Sequence, residues 1–470
     1  MEKKKVYDII VIGMGPGGMA VSAMGSAMGL DVLAVENNKI GGECLNVGCI
    51  PSKALLKAGE AKAVSDNLKK YGIIPGSKSV AKTTLGVVRD KIEFISGPKT
   101  TKMFEKVETI LKQGMAHFVD KNTIQVGDEI YRGKKIFIAT GTEPFIPEIP
   151  GLKEVPYLTN MNLFDEKSIP ASLTVIGGGA IGSEMAQAFS RLGSKVVIVH
   201  NDKHLIPLGD EEGALVLEEK FREEGITVYN SATIDKVEKK GKFILVHSGG
   251  NVIKSEKLLV ATGRKAVIEP LKLENAGVTH TGKKIIVDKY LRTNVKNIYA
   301  VGDVNFIALY SHAAMHQGML ALMNALNPIP FTRFRWDKYI VPWTVFTKPE
   351  FAHAGLTEGE IKSLGIKYEM IKENYQDYGR TIADGVPEGF VKVFATKRGK
   401  VLGATIVGES ASELIHEWIL AIQQGISLFD IMMTQHSFPT ISLLNKRIAE
   451  VWMMKKMGSP LITRIAKKLI

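Results

Sequence analysis

The stretch Asp8-Ile9-Ile10-Val11-Ile12-Gly13-Met14-Gly15-Pro16-Gly17-Gly18 decides the fold. An apolar strand over 8–12 runs into a glycine-rich turn, and a helix of small residues follows over 19–29. A second strand over 32–35 ends at Glu36, eighteen residues after Gly18. Strand, turn, helix, strand and acid in that order make a dinucleotide-binding βαβ unit. Gly13, Gly15 and Gly18 let the backbone approach a pyrophosphate, the helix N-terminus faces its charge, and Glu36 can accept from ribose hydroxyls. The unit recurs in a strand over 173–176, the turn Gly177-Gly178-Gly179-Ala180-Ile181-Gly182, a helix over 183–192 and a strand over 196–199. Here Gly177, Gly179 and Gly182 take the glycine positions. His200, eighteen residues after Gly182, takes the ribose-reading position.

Between the two units lies Gly42-Glu43-Cys44-Leu45-Asn46-Val47-Gly48-Cys49-Ile50-Pro51-Ser52-Lys53, which holds the only two cysteines of the 470 residues. The gap is about one helical turn, so both sulfurs are expected on one helix face, close enough for a short redox disulfide. A zinc site would need further ligands, and no second cysteine pair supplies them. Two dinucleotide units and one cysteine pair indicate a relay from nicotinamide to flavin to disulfide.

Composition narrows the class. The chain is too long for one core and suits three packed lobes. With 45% apolar and 23% charged residues it is neither disordered nor fibrous. No apolar run approaches the ~20 residues needed to span a bilayer. The lysines at positions 3–5 precede a strand, not a signal core. Two thiols, both assigned to redox work, fit a reducing compartment, so a cytoplasmic location is expected.

Further motifs are Ala139-Thr140-Gly141, Ala261-Thr262-Gly263-Arg264, Tyr299-Ala300-Val301-Gly302-Asp303, Pro342-Trp343-Thr344-Val345-Phe346-Thr347-Lys348-Pro349-Glu350 and Gly403-Ala404-Thr405-Ile406-Val407-Gly408. With them the chain resembles the class I pyridine-nucleotide-disulfide oxidoreductases, the family of dihydrolipoamide dehydrogenase, glutathione reductase and mercuric reductase. The resemblance implies an α/β fold with two Rossmann-like dinucleotide-binding domains and an α+β dimerisation domain. Residues 1–155 and 276–338 would bind FAD, 156–275 would bind NAD or NADP, and 339–450 would form the interface of a homodimer. The same resemblance makes Cys44 the interchange thiol and Cys49 the charge-transfer thiol. It places Lys53 near the flavin N5 with Glu184 as its ion-pair partner. It assigns Gly42, Ala116, Thr140, Gly141, Asp303 and Ala313 to FAD, with Asp303 on the ribityl chain, and Gly263 to the nicotinamide cofactor. The substrate would be a small-molecule disulfide or another electron acceptor.

Three departures stand out. Glu43 replaces the usual Thr or Ser before the first cysteine, where a carboxylate would either raise the thiol pKa or point to solvent. In Gln435-His436-Ser437-Phe438-Pro439-Thr440-Ile441-Ser442-Leu443, Phe438 holds the place of the family's proton-shuttling His and Leu443 that of its orienting Glu. Phenylalanine carries no proton. His436, two residues earlier, reads as a structural turn histidine. Dihydrolipoamide oxidation should therefore be poor, and mercury reduction is not expected without a C-terminal cysteine pair. Finally, Ala180 stands where other members place a larger gating side chain. At the ribose-reading position, His200 is followed by Lys203 and His204 but no arginine, leaving NADH and NADPH both open.

The net charge is +12. Residues 445–470 carry seven Lys or Arg and one Glu, about half of it. Ser459-Pro460 reads as a helix start. Leu461, Ile462, Ile465, Ala466, Leu469 and Ile470 should form one face, with Arg464, Lys467 and Lys468 on another. Such a basic amphipathic tail over 451–470 suits either an anionic membrane surface, through residues 459–470, or its own dimer. Nucleic acid is not expected, because no aromatics interleave the charges. Beside the disulfide oxidoreductase reading stand a peripheral NAD(P)H dehydrogenase reducing a quinone and a low-turnover redox sensor or scaffold.

Overall fold

The strand Val6–Ile12 forms the centre of the first sheet, with Ile10 and Val11 wholly enclosed. Such a continuous apolar run belongs to a parallel strand covered on both faces. In the computed structural model, which describes residues 5–74, 79–458 and 460–469, it pairs in parallel with Val32–Glu36 and with Glu129–Ile138. The sheet has seven strands. Glu108–Leu111 extends one edge, and the antiparallel strands Thr123–Val126 and His117–Asp120 extend the other. From far along the chain, Ile298–Ala300 returns to pair with Glu129–Ile138.

A second, four-stranded parallel sheet runs in the order Thr227–Tyr229, Lys195–Val199, Ser172–Ile176, Lys257–Val260. A three-stranded antiparallel sheet, Ile234–Lys240, Phe243–Ser248 and Asn251–Ser255, lies beside it. The chain enters and leaves this region through a two-stranded ribbon in which Thr142–Pro144 pairs with Arg264–Ala266. The last sheet is antiparallel and five-stranded, with Val401–Gly408 and Phe390–Ala395 buried along their whole length. Helices Ala411–Gln424 and Leu443–Met457 pack on it, their interior including Trp418, Ile448 and Trp452.

One apolar cluster joins all three regions. It contains Leu55 from helix Cys49–Asp66, Phe189 from helix Ala180–Arg191 and Phe351 from strand Glu350–Gly355, each almost fully enclosed. Each such side chain contributes ~1.5–3 kcal/mol by burial. Among the described residues, no helix is long and apolar enough to cross a membrane.

Both nucleotide helices start directly from their glycine turns, earlier than the side-chain pattern indicates, as Pro16–Ala27 and Ala180–Arg191. The single helix expected through both cysteines does not form. Gly42–Asn46 and Cys49–Asp66 are separate helices, broken at Val47 and Gly48. Gly48 has φ −129° and ψ −106°, outside the helical region, and a side chain there would begin 2.9 Å from the Glu43 carbonyl oxygen. Cys49 thereby becomes the first residue of an 18-residue helix, whose N-terminal dipole favours a thiolate.

Candidate active site

The first turn shows why its glycines are needed. Gly13 has φ +97°, and a side chain on it would begin 2.4 Å from the Ala139 carbonyl oxygen. The space above Gly15 is open, at the N-terminus of a helix that has no side-chain cap. At the end of its strand, Glu36 accepts from the Met14 and Asn38 amides, each at 2.8 Å. Gly13, Gly15, Glu36, Gly42, Ala116, Thr140, Gly141 and Asp303 all line one continuous cavity of about 2500 Å³. Burial pushes the Asp303 carboxyl up, against the opposing pull of Arg264 and a 3.3 Å hydrogen bond from Thr142. An uncapped helix end with open space over it, an acid at the strand tip and a long cleft are what FAD requires, and these residues fit it. Gly18 and Ala313 do not line the cavity. A side chain at Gly18 would strike the Gly13 carbonyl, so it shapes the turn, while Ala313 is buried beside the lining residue Ala314.

Further along the same cavity lies the redox centre. Cys44 and Cys49 are free thiols facing each other across the helix break. Cys49 is pulled down to about 6, first by the hydrogen bond from Cys44 and then by Ser311 and Lys53, against burial. Cys44, holding the shared proton in a buried site, is pushed up. Ser311 Oγ lies 3.2 Å from Cys49 Sγ. The amine of Lys53 donates to Glu184 at 2.7 Å and stands 4.4 Å from the centre of the Phe346 ring. The other oxygen of Glu184 accepts from the Phe346 amide at 3.0 Å. The expected Lys53–Glu184 contact is thus formed, and it ties helices of the first two regions to the third.

Glu43 takes neither course expected of it. Its carboxylate pairs with Arg264 and accepts from Asn160 at 3.1 Å. Arg264 also donates to the Thr142 hydroxyl at 2.5 Å and to the Thr142 carbonyl at 3.1 Å. The short helix carrying Cys44 is therefore anchored to the two-stranded ribbon. Ser311 and the Glu43–Arg264 pair were missed because their partners lie 262 and 221 residues apart, beyond any local pattern.

In the second unit Gly177, Gly179, Gly263 and His200 line the cavity, while Gly182 packs under the turn against the Gly177 carbonyl. His200 is almost fully buried, and its ring lies 2.7 Å by Nε2 from Asn230 Oδ1. Lys203 donates to Glu211 at 2.6 Å, and His204 lies 3.2 Å from the same carboxylate. Both basic residues that follow His200 are thus engaged by an acid. Ala180 is exposed at the cavity wall. Among the described residues no group of three or more His, Cys, Asp or Glu is placed to hold a metal ion. The spacing of His312 and His316 on one helix suits metal ligation, yet His312 bonds the Pro342 carbonyl and His316 packs on the Tyr339 ring.

The Gln435–Leu443 segment lies away from this chain's own cavity. Phe438 is 79% exposed, on a loop held by hydrogen bonds from Arg380 to the Pro439 carbonyl and from Tyr378 to the Thr440 carbonyl. Both ring nitrogens of His436 face acceptors, the Thr434 carbonyl at 3.2 Å and Glu417 at 2.9 Å. Neither offers a lone pair to a thiol, which fits the structural reading of this histidine.

Residues 7–322 match the family model described as pyridine nucleotide-disulphide oxidoreductase, and residues 341–447 match that family's dimerisation domain. The chain is 37% identical over 448 residues to dihydrolipoyl dehydrogenase from Thermus scotoductus, covering 93% of this chain and 95% of that one. It is 34% identical over 437 residues to mercuric reductase from Staphylococcus aureus, covering 90% and 78%. Its fold is similar to the HOCl-induced flavoprotein disulfide reductase RclA from Escherichia coli, with TM-score 0.85 at 24% identity, covering 95% and 100%. LpdA from Mycobacterium tuberculosis is similar too, with TM-score 0.85 at 26% identity, covering 95% and 99%. The chain belongs to the pyridine nucleotide-disulphide oxidoreductase family. It is an FAD-dependent oxidoreductase working with NAD(P)H, and its dimerisation domain supports a homodimer.

Proposed function

We propose that the Cys44–Cys49 pair delivers electrons from NAD(P)H to a small acceptor that does not depend on the proton shuttle other members keep beside the interchange thiol. The observation that carries this is the meeting of Cys44, Cys49, Ser311 and the Lys53–Glu184 pair at one place in a cavity reached from both glycine turns. Bound FAD supplies the two-electron relay between nicotinamide and disulfide. Gly13, Gly15, Glu36, Gly42, Ala116, Thr140, Gly141 and Asp303 would hold it, and the Lys53–Glu184 pair would tune its electronics. With a disulfide acceptor, Cys44 attacks one sulfur and forms a mixed disulfide, releasing the first thiolate. Cys49 then attacks Cys44, releasing the second thiolate and closing the Cys44–Cys49 bond. Two electrons leave the protein, and the two released thiolates take up the proton that Cys44 held and one from solvent. Phe438 and Leu443 replace the shuttle, and the outward position of Phe438 supports its meeting the site of a second copy. On this reading the domains divide at 155/156, 275/276 and 338/339, leaving 451–470 as a tail.

A second acceptor class, a quinone reached at the anionic inner face of the membrane from the cytoplasm, draws support from helix Pro460–Leu469. There Arg464, Lys467, Lys468 and Leu469 are all exposed. Ser459, Ile470 and the side chains of Leu461, Ile462 and Ile465 lie outside the described residues. The test is anaerobic reduction with NADH and NADPH, then turnover against disulfides, quinones and oxygen. A long-wavelength thiolate-to-flavin band with disulfide turnover is expected. Turnover with quinones alone would replace the first reading by the second, and the absence of both band and turnover would leave neither.

A further inference from the structure

The two glycine turns differ at three residues, and one of those differences moves the reader of the nicotinamide cofactor's adenosine ribose. In the first turn the residue between the first two glycines is Met14, whose side chain is fully buried. In the second it is Gly178, where a side chain would begin 2.8 Å from the His200 ring. The ring occupies the space that glycine leaves. It is fixed there by a directed chain of hydrogen bonds. Glu218 accepts from the Leu205 amide at 2.9 Å and from Asn230 Nδ2 at 3.0 Å. A carboxylate only accepts, so the amide oxygen of Asn230 faces His200, and Nε2 is the donor across 2.7 Å. The remaining nitrogen, Nδ1, is covered and has no hydrogen-bond partner. His200 stands at the reading position but presents no nitrogen to the cavity.

Asp202 does present a group. It lines the same cavity with its side chain half exposed. Its carboxylate lies 3.9 Å from His200 Nδ1, beyond hydrogen-bond reach. The neighbouring cations are already engaged: Lys203 pairs with Glu211, and His204 lies between Glu211 and Glu218, at 3.2 and 3.4 Å. We propose that Asp202, two residues beyond the usual place, reads the 2′-hydroxyl of NAD(H) and rejects the 2′-phosphate of NADP(H), while His200 is a positioning residue beneath the turn. An acid there accepts from a hydroxyl and repels a phosphate, and the neighbouring Lys203 and His204 already face acids.

The proposal uses the nucleotide cleft of the reading above but not its acceptor, so it is tested by binding without turnover. The FAD-loaded dimer is titrated calorimetrically with NAD⁺, NADP⁺ and 2′-deoxy-NAD⁺. The wild type should bind NAD⁺ at least about tenfold more tightly than either of the others. Asp202→Asn should narrow the NAD⁺/NADP⁺ ratio about tenfold with FAD absorbance unchanged. His200→Leu should leave that ratio within about twofold, since its ring faces inward. Equal binding of 2′-deoxy-NAD⁺ and NAD⁺ to the wild type overturns the proposal and needs no variant. So does a preference for NADP⁺, or a ratio that follows His200 and ignores Asp202.

Discussion

Around Cys49 three stretches of chain converge: its own segment, with Cys44 across the helix break and Lys53 one turn on, Glu184 from the second sheet's helix and Ser311 from the returning segment. Around Phe438 there is a well-bonded loop with an exposed ring and no titratable group of its own aimed outward. The first region keeps every part that electron transfer needs. On the proposed reading, in which Phe438 holds the shuttle position, the second has no side chain there that carries a proton. On that reading the two halves of a disulfide reductase's work, moving electrons and moving protons, are separable in one scaffold.

Breaking the first region should have the largest effect. Cys49→Ser should abolish the long-wavelength band and lower disulfide turnover by on the order of 10³-fold or more, measured by anaerobic titration and steady-state kinetics. An unchanged band would remove Cys49 from its role. Rebuilding the second region comes next. Phe438→His with Leu443→Glu should raise dihydrolipoamide oxidation about 10²-fold, and Phe438→His alone should recover little, because nothing would orient the imidazole. Wild-type turnover equal to that of ordinary dihydrolipoyl dehydrogenases would erase the contrast.

Smaller effects sharpen it. The Cys49 thiolate is lowered to about 6, so the band should be full above that pH and fade as pH falls through it. Ser311→Ala removes a hydrogen bond to the charged form and should raise that midpoint by roughly one pH unit, read by absorbance. Glu43→Thr leaves Arg264 without its acid and should cost about 1 kcal/mol in thermal unfolding, with the band retained. Removing residues 460–470 should leave FAD content and the band unchanged. It should end sedimentation with anionic vesicles if that surface is the tail's partner.

Much of this was legible in the chain. Both glycine turns and the cysteine segment depend on local order, where spacing and backbone chemistry suffice, whereas the Lys53–Glu184 pair, 131 residues apart, came from the family resemblance. The break at Gly48 was not, because a five-residue spacing of cysteines suits one helix as well as two. Nor was the fate of Glu43, whose partner Arg264 belongs to a strand reached only after the second sheet is complete. His200 follows its strand as the count expects, but its inward turn depends on Gly178, Asn230 and Glu218 acting together. Residues joined only by the folded chain leave no periodic trace in it.

The cluster that gathers Leu55, Phe189 and Phe351 has a consequence for how the molecule fails. Each sheet also has an apolar interior of its own, so a weakly joined chain would melt in steps, one region after another. Here the innermost helix of each nucleotide region and a strand of the pairing region bury surface against one another. None can open without wetting the other two. Heating should therefore give one sharp transition in which helical signal, flavin fluorescence release and dimer dissociation coincide, and a protease should find no intact lobe to liberate on the way.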